Sequence, residues 1–257
     1  MDTPEHTPFS DAHIHLNYLS NDAAFAAQAG QAGCFLFANG VRPGTFEADC
    51  QRYAAYRGVM VGCGMHPWFV SEESMSADLA AMEAGIHASR FVGEVGLDAG
   101  RRGADALVAQ MHAFQHIARW CAREQNRIVS IHAIKTADAA LDTLEETGAL
   151  QTCTCIFHWF SGSCEQLHRA VADGCWFSVG PFMAQSKRGR EYLKLIPADR
   201  LLLETDAPPG GPHVEFTFEE HQRWLGETAQ IIAQVRGREV AAQANENTRA
   251  LLSQATA

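Results

Sequence analysis

Phe9-Ser10-Asp11-Ala12-His13-Ile14-His15-Leu16 carries two imidazoles at i and i+2, and on an extended strand such residues project from the same side. That pair can grip one metal ion. Outward from it, further short apolar runs end in Glu94, His132, His158 and Asp206, each a ligand type suited to Zn²⁺, Mn²⁺ or Mg²⁺. Short runs with β-type composition fall at 9–12, 34–38, 59–63, 91–95, 128–131, 155–157, 176–179 and 201–203. Helix-compatible stretches lie between them, at 21–31, 77–88, 106–124, 137–146, 164–172 and 187–194. In 106–124, Leu107, Met111, Phe114, Ala118 and Cys121 recur at helical spacing and predict a face packed on a sheet. Gly30, Gly33, Gly148 and Gly174 stand where helices should stop. Eight strands alternating with helices predict an α/β fold, a closed (β/α)8 TIM barrel, against an open doubly wound sheet. The ligand types end strands one, four, five, six and eight, and only a closed barrel sets strand one beside strand eight with these ends around one mouth. Segments 219–235 and 239–254 predict C-terminal helices over the outside, so that 1–257 reads as a single domain.

The chain has 257 residues, enough for a substantial core, with 20 Lys and Arg against 30 Asp and Glu. A formal charge of −10 argues against an extended basic groove for long nucleic acid. It leaves room for a small phosphate site, since bound divalent ions add positive charge that the count omits. It also suggests that a protein partner in a larger complex presents the substrate. Residues 1–19 are interrupted by Asp2, Glu5 and Asp11, and no apolar run is of membrane length, which predicts a cytoplasmic protein. Eight cysteines without a secretory segment predict reduced, buried thiols, Cys153 and Cys155 included.

The ligand chemistry suits a pair of divalent ions, because a carboxylate with two oxygens can bridge them. His13, His15 and Asp206 are assigned to one ion, His132 and His158 to the other, and Glu94 to both, with a metal-activated water as nucleophile. Asp206 is also a candidate general acid or base, and with Glu94 it makes up the catalytic pair. Singly, Glu94 could pair with Arg90, His132 could be a core imidazole, and Asp206 could be a capping or turn residue before Pro208. His6, His112, His116, His168 and His221 fit no ligand geometry and read as structural or surface residues.

Six motifs make the chain similar to a known family: Asp11-Ala12-His13-Ile14-His15-Leu16, Gly64-Met65-His66-Pro67-Trp68, Gly93-Glu94-Val95-Gly96-Leu97-Asp98, Ile131-His132, His158-Trp159-Phe160-Ser161-Gly162-Ser163 and Leu203-Glu204-Thr205-Asp206-Ala207-Pro208. They resemble the TatD family of metal-dependent hydrolases, barrel enzymes of the amidohydrolase-like group, over almost the whole chain. Gln110 with Phe114, and Asn247 with Arg249, resemble its minor signatures. The resemblance implies a divalent-metal phosphodiesterase, often a deoxyribonuclease releasing nucleotides from a 3′ end, with ligands at the six positions above. It further implies that His66 and Glu204 join a third metal or position a phosphate, where the residues alone read equally as a turn histidine and a solvated carboxylate.

Two stretches depart from the family pattern. Ala133-Ile134-Lys135 follows the strand-five histidine where the family carries Ser-Arg, and Lys135 offers a point charge without the guanidinium fork. The family's Arg- and Asn-rich segment after the last Asp is replaced by Pro208-Pro209-Gly210-Gly211-Pro212-His213. Lys187, Arg188 and Arg190, after strand seven, are candidate replacements for phosphate contact, against a solvated helix start. Trp68, Trp159 and Phe160 sit beside metal-site positions and are candidates for stacking bases or walling the mouth. The expected function is hydrolysis of a phosphodiester at a nucleic-acid end or in a small molecule. Its rivals are a binuclear-metal hydrolase of acyl esters or amides, such as an aminoacyl-tRNA deacylase, and a barrel without turnover that serves as a binding subunit.

Overall fold

The computed structural model describes residues 7–100 and 104–253. Its strands are β1 (Asp11–Ile14), β2 (Leu36–Asn39), β3 (Val59–Met65), β4 (Phe91–Asp98), β5 (Ile128–Ile134), β6 (Thr154–His158), β7 (Trp176–Val179) and β8 (Leu201–Leu203). They pair in parallel in sequence order. Helices α1 (Asp22–Ala32), α2 (Phe46–Tyr53), α3 (Met75–Ala88), α4 (Ala104–Glu124), α5 (Ala137–Thr147) and α6 (Ala149–Thr152) fill the connections up to β6. Beyond it come α7 (Cys164–Ala172), α8 (Pro181–Gln185), α9 (Lys187–Leu195), α10 (Phe218–Arg236) and α11 (Arg238–Ser253). This is the TIM barrel that the alternation predicts.

The seam between β8 and β1 is closed near its top by backbone bonds just past the strands: Asp206 N–H to the His13 carbonyl (2.9 Å) and His15 N–H to the Ala207 carbonyl (2.8 Å). The fully buried Asp11 carboxylate ties the same junction, accepting from the amides of His13 and Thr205, the Thr205 hydroxyl and His221 Nε2 of α10. Lower down, α11 supplies side-chain acceptors in place of a ladder: Asn245 Oδ1 takes Ser10 N–H and Thr248 Oγ1 takes Leu203 N–H. Phe9 N–H goes likewise to Gln222 of α10. Because side chains satisfy residues 9 and 10, β1 starts two residues later than its composition predicts.

Inward positions change character up the barrel. At the base Phe37, Met60, Ile128, Ile156 and Leu202 pack with Leu251 and Leu252 of α11, which plug the bottom. Two residues further along, the strands turn polar at Asn39, Ser130, His158, Ser178 and Glu204, following the period of two. The intervening Val129, Ile131, Cys155, Phe157, Phe177 and Leu203 face the helices in the main core. Gly64 of β3 permits the chain past β2 and β4 to close in on it above this layer, since a Cβ there would run into the Gly40 carbonyl and stand 2.5 Å from the Glu94 nitrogen.

Gly33 and Gly148 end α1 and α5 in the left-handed conformation, as expected. Gly30 does not stop a helix: it lies within α1, where a Cβ would crowd the Arg57 carbonyl (3.1 Å). The polar α2 and the short α6 and α8 are helices that apolar periodicity does not signal. All eight cysteines are free; five are buried, whereas Cys164 at the start of α7 is exposed and Cys50 and Cys153 are half-buried. Among the described residues no helix is long and apolar enough to cross a membrane.

Candidate metal centre

Glu94 lies at the centre of the site, its side chain 2% exposed among histidines from four directions. Oε2 faces His15 Nε2 (3.3 Å) and His13 Nε2 (3.5 Å), and Asp206 Oδ1 lies 3.4 and 3.7 Å from the same two nitrogens. Oε1 faces His132 Nδ1 (2.7 Å), His158 Nε2 (2.9 Å) and His66 Nε2 (3.2 Å). The six residues expected to hold metal therefore come together at the C-terminal mouth as two donor sets sharing one carboxylate. Three groups, His13–His15–Glu94, His13–His158–Asp206 and His66–Glu94–His132, each have their ligand atoms within 4.8 Å of one another, the reach of a single ion, so that the two sets interleave and His66 lies beside the second.

The imidazoles are oriented from behind. His15 Nδ1 donates to the Asn39 carbonyl (3.0 Å), and His13 Nδ1 meets the Ser130 hydroxyl (2.8 Å), so each leaves Nε2 free as a ligand. His132 is reversed, its Nε2 meeting Asp98 Oδ2 at 3.0 Å while Nδ1 faces Glu94. Asp98 also accepts the Trp68 indole N–H and the Gly100 amide, and Gln110 of α4 holds its backbone N–H (2.8 Å). These bonds outweigh burial and keep its carboxyl below the ordinary aspartate range. Asp98→Ala is expected to weaken metal retention by about 10–100-fold, by freeing the His132 ring. Metal content after graded chelation checks this, and unchanged retention would leave Asp98 a purely structural acceptor.

Burial lowers His13 to about 4, with the neighbouring His158 adding to the effect, so it stays neutral. At His15 and His158 burial acts the same way, but their carboxylate neighbours prevail: hydrogen bonds to Asp206 and Glu94 push His15 up to about 10, and the charge of Glu94 with its hydrogen bond pushes His158 up to about 9. Asp206 is held below its usual range, since burial is outweighed by its bond to His15 and by the charge of His158. With 22% of its side chain exposed, Asp206 is also the carboxylate open to the mouth.

His66 and Glu204 stand in different surroundings at the edge of this cluster. His66 Nδ1 accepts the Trp68 backbone N–H (3.0 Å), and burial keeps the ring neutral, so its proton sits on Nε2. In this tautomer His66 aims a donor N–H into the site, and it lies within a single ion's reach of Glu94 and His132. Glu204 is fully buried, not solvated, and burial pushes it up to about 8. Its two oxygens accept from the Ser178 hydroxyl and the Trp159 amide. It therefore stands behind His158, 3.9 Å from a Nδ1 that has no hydrogen-bond partner.

The substrate-side candidates separate. Phe160 is a correction: it is 3% exposed and packs on Phe157, Phe177 and Tyr192, so it belongs to the core and not to the mouth. Trp68 is half-buried and pinned by Asp98, forming a wall. Trp159 is exposed, as is Lys135. Lys187 and Arg188 are exposed, Arg188 donating to the Ser161 carbonyl (3.3 Å), and Arg190 is half-buried. The sequence reading did not single out Asp98, Ser130, Tyr18, whose ring lies 5.4 Å from His15, or Arg42, which stacks over Phe69 at 4.1 Å. Of the histidines set aside, His221 holds the barrel seam, His112 and His116 pair on α4 at 4.7 Å, and His6 lies outside the described residues.

A buried, charge-dense donor set at the catalytic end of a β/α barrel assigns the protein to the metal-dependent barrel hydrolases. The family follows from sequence: the TatD related DNase model matches residues 10–253, and the chain belongs to that family. Deoxyribonuclease TATDN3 from Homo sapiens is 28% identical over 207 residues, 76% of this chain and 73% of that one. The 3′-5′ ssDNA/RNA exonuclease TatD from Escherichia fergusonii is 31% identical over 197 residues, 69% of this chain and 70% of its own. The crystal structure of YJJV, a TatD homolog from Escherichia coli K12, has the same fold with a TM-score of 0.78 at 24% identity, covering 95% of this chain and 97% of that one.

Proposed function

We propose that this TatD-type hydrolase removes nucleotides from the 3′ end of single-stranded DNA or RNA. The observation that carries the reading is Glu94 set between two donor sets, which suits phosphodiester cleavage by a pair of ions. In this reading His13, His15, Asp206 and Glu94 hold one ion, and His132, His158 and Glu94 the other. When bound, the two ions polarise the phosphoryl group and lower the pKa of water. The donor chemistry supports this occupancy: His13 and His15 are anchored through Nδ1 and His132 through Nε2, each leaving its other nitrogen free to bind metal. Four imidazoles against two carboxylates favour Zn²⁺ or Mn²⁺ over Mg²⁺.

The chain's own groups do the rest. Asp206, ionised and open to the mouth, accepts the proton of the attacking water at its carboxylate. His66 Nε2–H donates to a non-bridging phosphate oxygen, in place of the guanidinium absent after β5. Arg42, exposed at the rim, supplies a charge for the next phosphate. The relatives named for nuclease activity act on single strands or DNA, and a chain at −10 suits an end better than a long duplex.

The test is a 5′-labelled single-stranded oligonucleotide incubated with protein loaded separately with Zn²⁺, Mn²⁺ or Mg²⁺. A ladder shortening from the 3′ end, fastest with Zn²⁺ or Mn²⁺, is expected. Intact oligonucleotide with folded, fully loaded protein would sink the reading and direct the search to acyl and amide substrates.

A further inference from the structure

We infer that Trp159 and Phe182 form a platform on which one unpaired base of the substrate stacks beside the metal centre; this rests on the nucleic-acid reading above. Among the described residues only four large apolar side chains are exposed: Val108 (71%), Phe182 (44%), Trp159 (38%) and Leu195 (38%). Two of the four lie against each other, ring centroids 5.5 Å apart and planes 13° from parallel. Chance scatter of surface hydrophobes does not pair rings face to face at a catalytic mouth.

Their placement is built from below. Trp159 follows the ligand histidine His158, and its backbone is held at φ 38°, a left-handed conformation that bulky residues avoid. The Trp159 amide donates to Glu204 Oε1 (3.0 Å), and the other Glu204 oxygen is fixed by Ser178. A fully buried carboxylate thus turns the indole out of the barrel instead of into it. Phe182, at the start of α8 after β7, is braced edge-on by Trp224 (5.5 Å, 84°), which is braced in turn by Phe216 (5.0 Å). A supported but exposed aromatic pair is an anchor awaiting a flat partner.

Charge and substrate chemistry identify that partner as a base. Single strands offer unpaired π-faces that stack on aromatic rings irrespective of sequence. A chain at −10 cannot gain its affinity from a long row of phosphate contacts. The local charge is nonetheless favourable, with Arg188 on the Ser161 carbonyl two residues from Trp159 and Lys187 next to it. The platform also gives the buried Glu204 behind His158 a role, that of holding the Trp159 amide.

The test reads binding separately from cleavage. Fluorescence anisotropy of a 5′-labelled deoxyoligonucleotide with hydrolysis-resistant phosphorothioate linkages at its 3′ end is measured on metal-loaded protein, with and without Phe182→Ala, using 3′ ends that carry either normal or abasic nucleotides. Phe182→Ala is expected to weaken binding of the normal end about tenfold and that of an abasic end hardly at all, with Phe182→Trp restoring the normal value. Equal weakening on both ends, no weakening, or no binding would overturn the platform. So would self-association of the chain that Phe182→Ala abolishes, because the pair would then be a protein contact. Failure of the nuclease reading is distinguishable: wild-type protein would leave the unmodified oligonucleotide intact whatever the anisotropy shows.

Discussion

Glu94→Gln is expected to lower hydrolysis on the order of 10³-fold while the barrel stays folded. The substitution keeps the side-chain volume, and every strand contact of β4 remains. It replaces one of two oxygens with an amide NH₂, and both are engaged: Oε2 by His13 and His15, Oε1 by His132, His158 and His66. Whichever way the amide turns, one donor set faces N–H groups that cannot ligate. Both sets lose the shared negative charge. Removal of an outer partner of one ion costs about 10–100-fold, so damage to a ligand shared by two compounds that loss. Metal analysis should fall from two ions per chain to one or fewer. Retention of more than about a tenth of the activity would mean that catalysis does not pass through this carboxylate, and unchanged biological function in an inactive variant would support a binding-subunit role.

The same geometry explains what could be read from the sequence. Barrel order and the convergence of the six candidate positions were legible because strands run in parallel toward one mouth, so ligand types spaced along the chain meet there; His158 ends β6, whereas β4 and β5 continue past Glu94 and His132 to Asp98 and Ile134. The ends of β1 were less legible, since their bonds go to Asn245 and Gln222, more than 200 residues away. Loop residues carry no such period. Trp159 and Phe160 are adjacent and chemically alike, yet a left-handed backbone at Trp159 sends one ring to solvent and the other into the core. The roles of His66 and Glu204 depend on which atom meets Trp68, Ser178 or the Trp159 amide, and spacing does not encode that. Asp98 lies in plain sight in a family-like motif, but only the turned ring of His132 makes it an orienting partner.

Loading the protein with two divalent ions at pH 7 is expected to release at least two protons per chain, one each from His15 and His158, and His132, also raised by its bonds to Asp98 and Glu94 against burial, adds to the count. His15 and His158 are raised above the ordinary histidine value, to about 10 and about 9, by Glu94 and Asp206 prevailing over burial. Each must lose its proton before its Nε2 can bind metal. His13, lowered to about 4, enters without proton loss. Apparent affinity should therefore climb about tenfold per pH unit for each proton displaced, flattening as pH passes 9 and then 10. Stability of chelated protein runs the other way on the alkaline side. A raised histidine contributes stability that is full below its unfolded value of 6.5 and is lost as pH rises through about 9 and 10. Glu94 and Asp206, both lowered, contribute stability that is present above the ordinary carboxylate range and lost as pH falls through their depressed values. Chelated protein should thus lose stability toward both extremes, while the loaded form resists the alkaline loss because the ions replace the two protons between the same carboxylates. Titration calorimetry in buffers of different ionisation enthalpy counts the protons directly. A count near zero would mean that His15 and His158 are already neutral, and that the carboxylates alone do not hold charge on the rings around them.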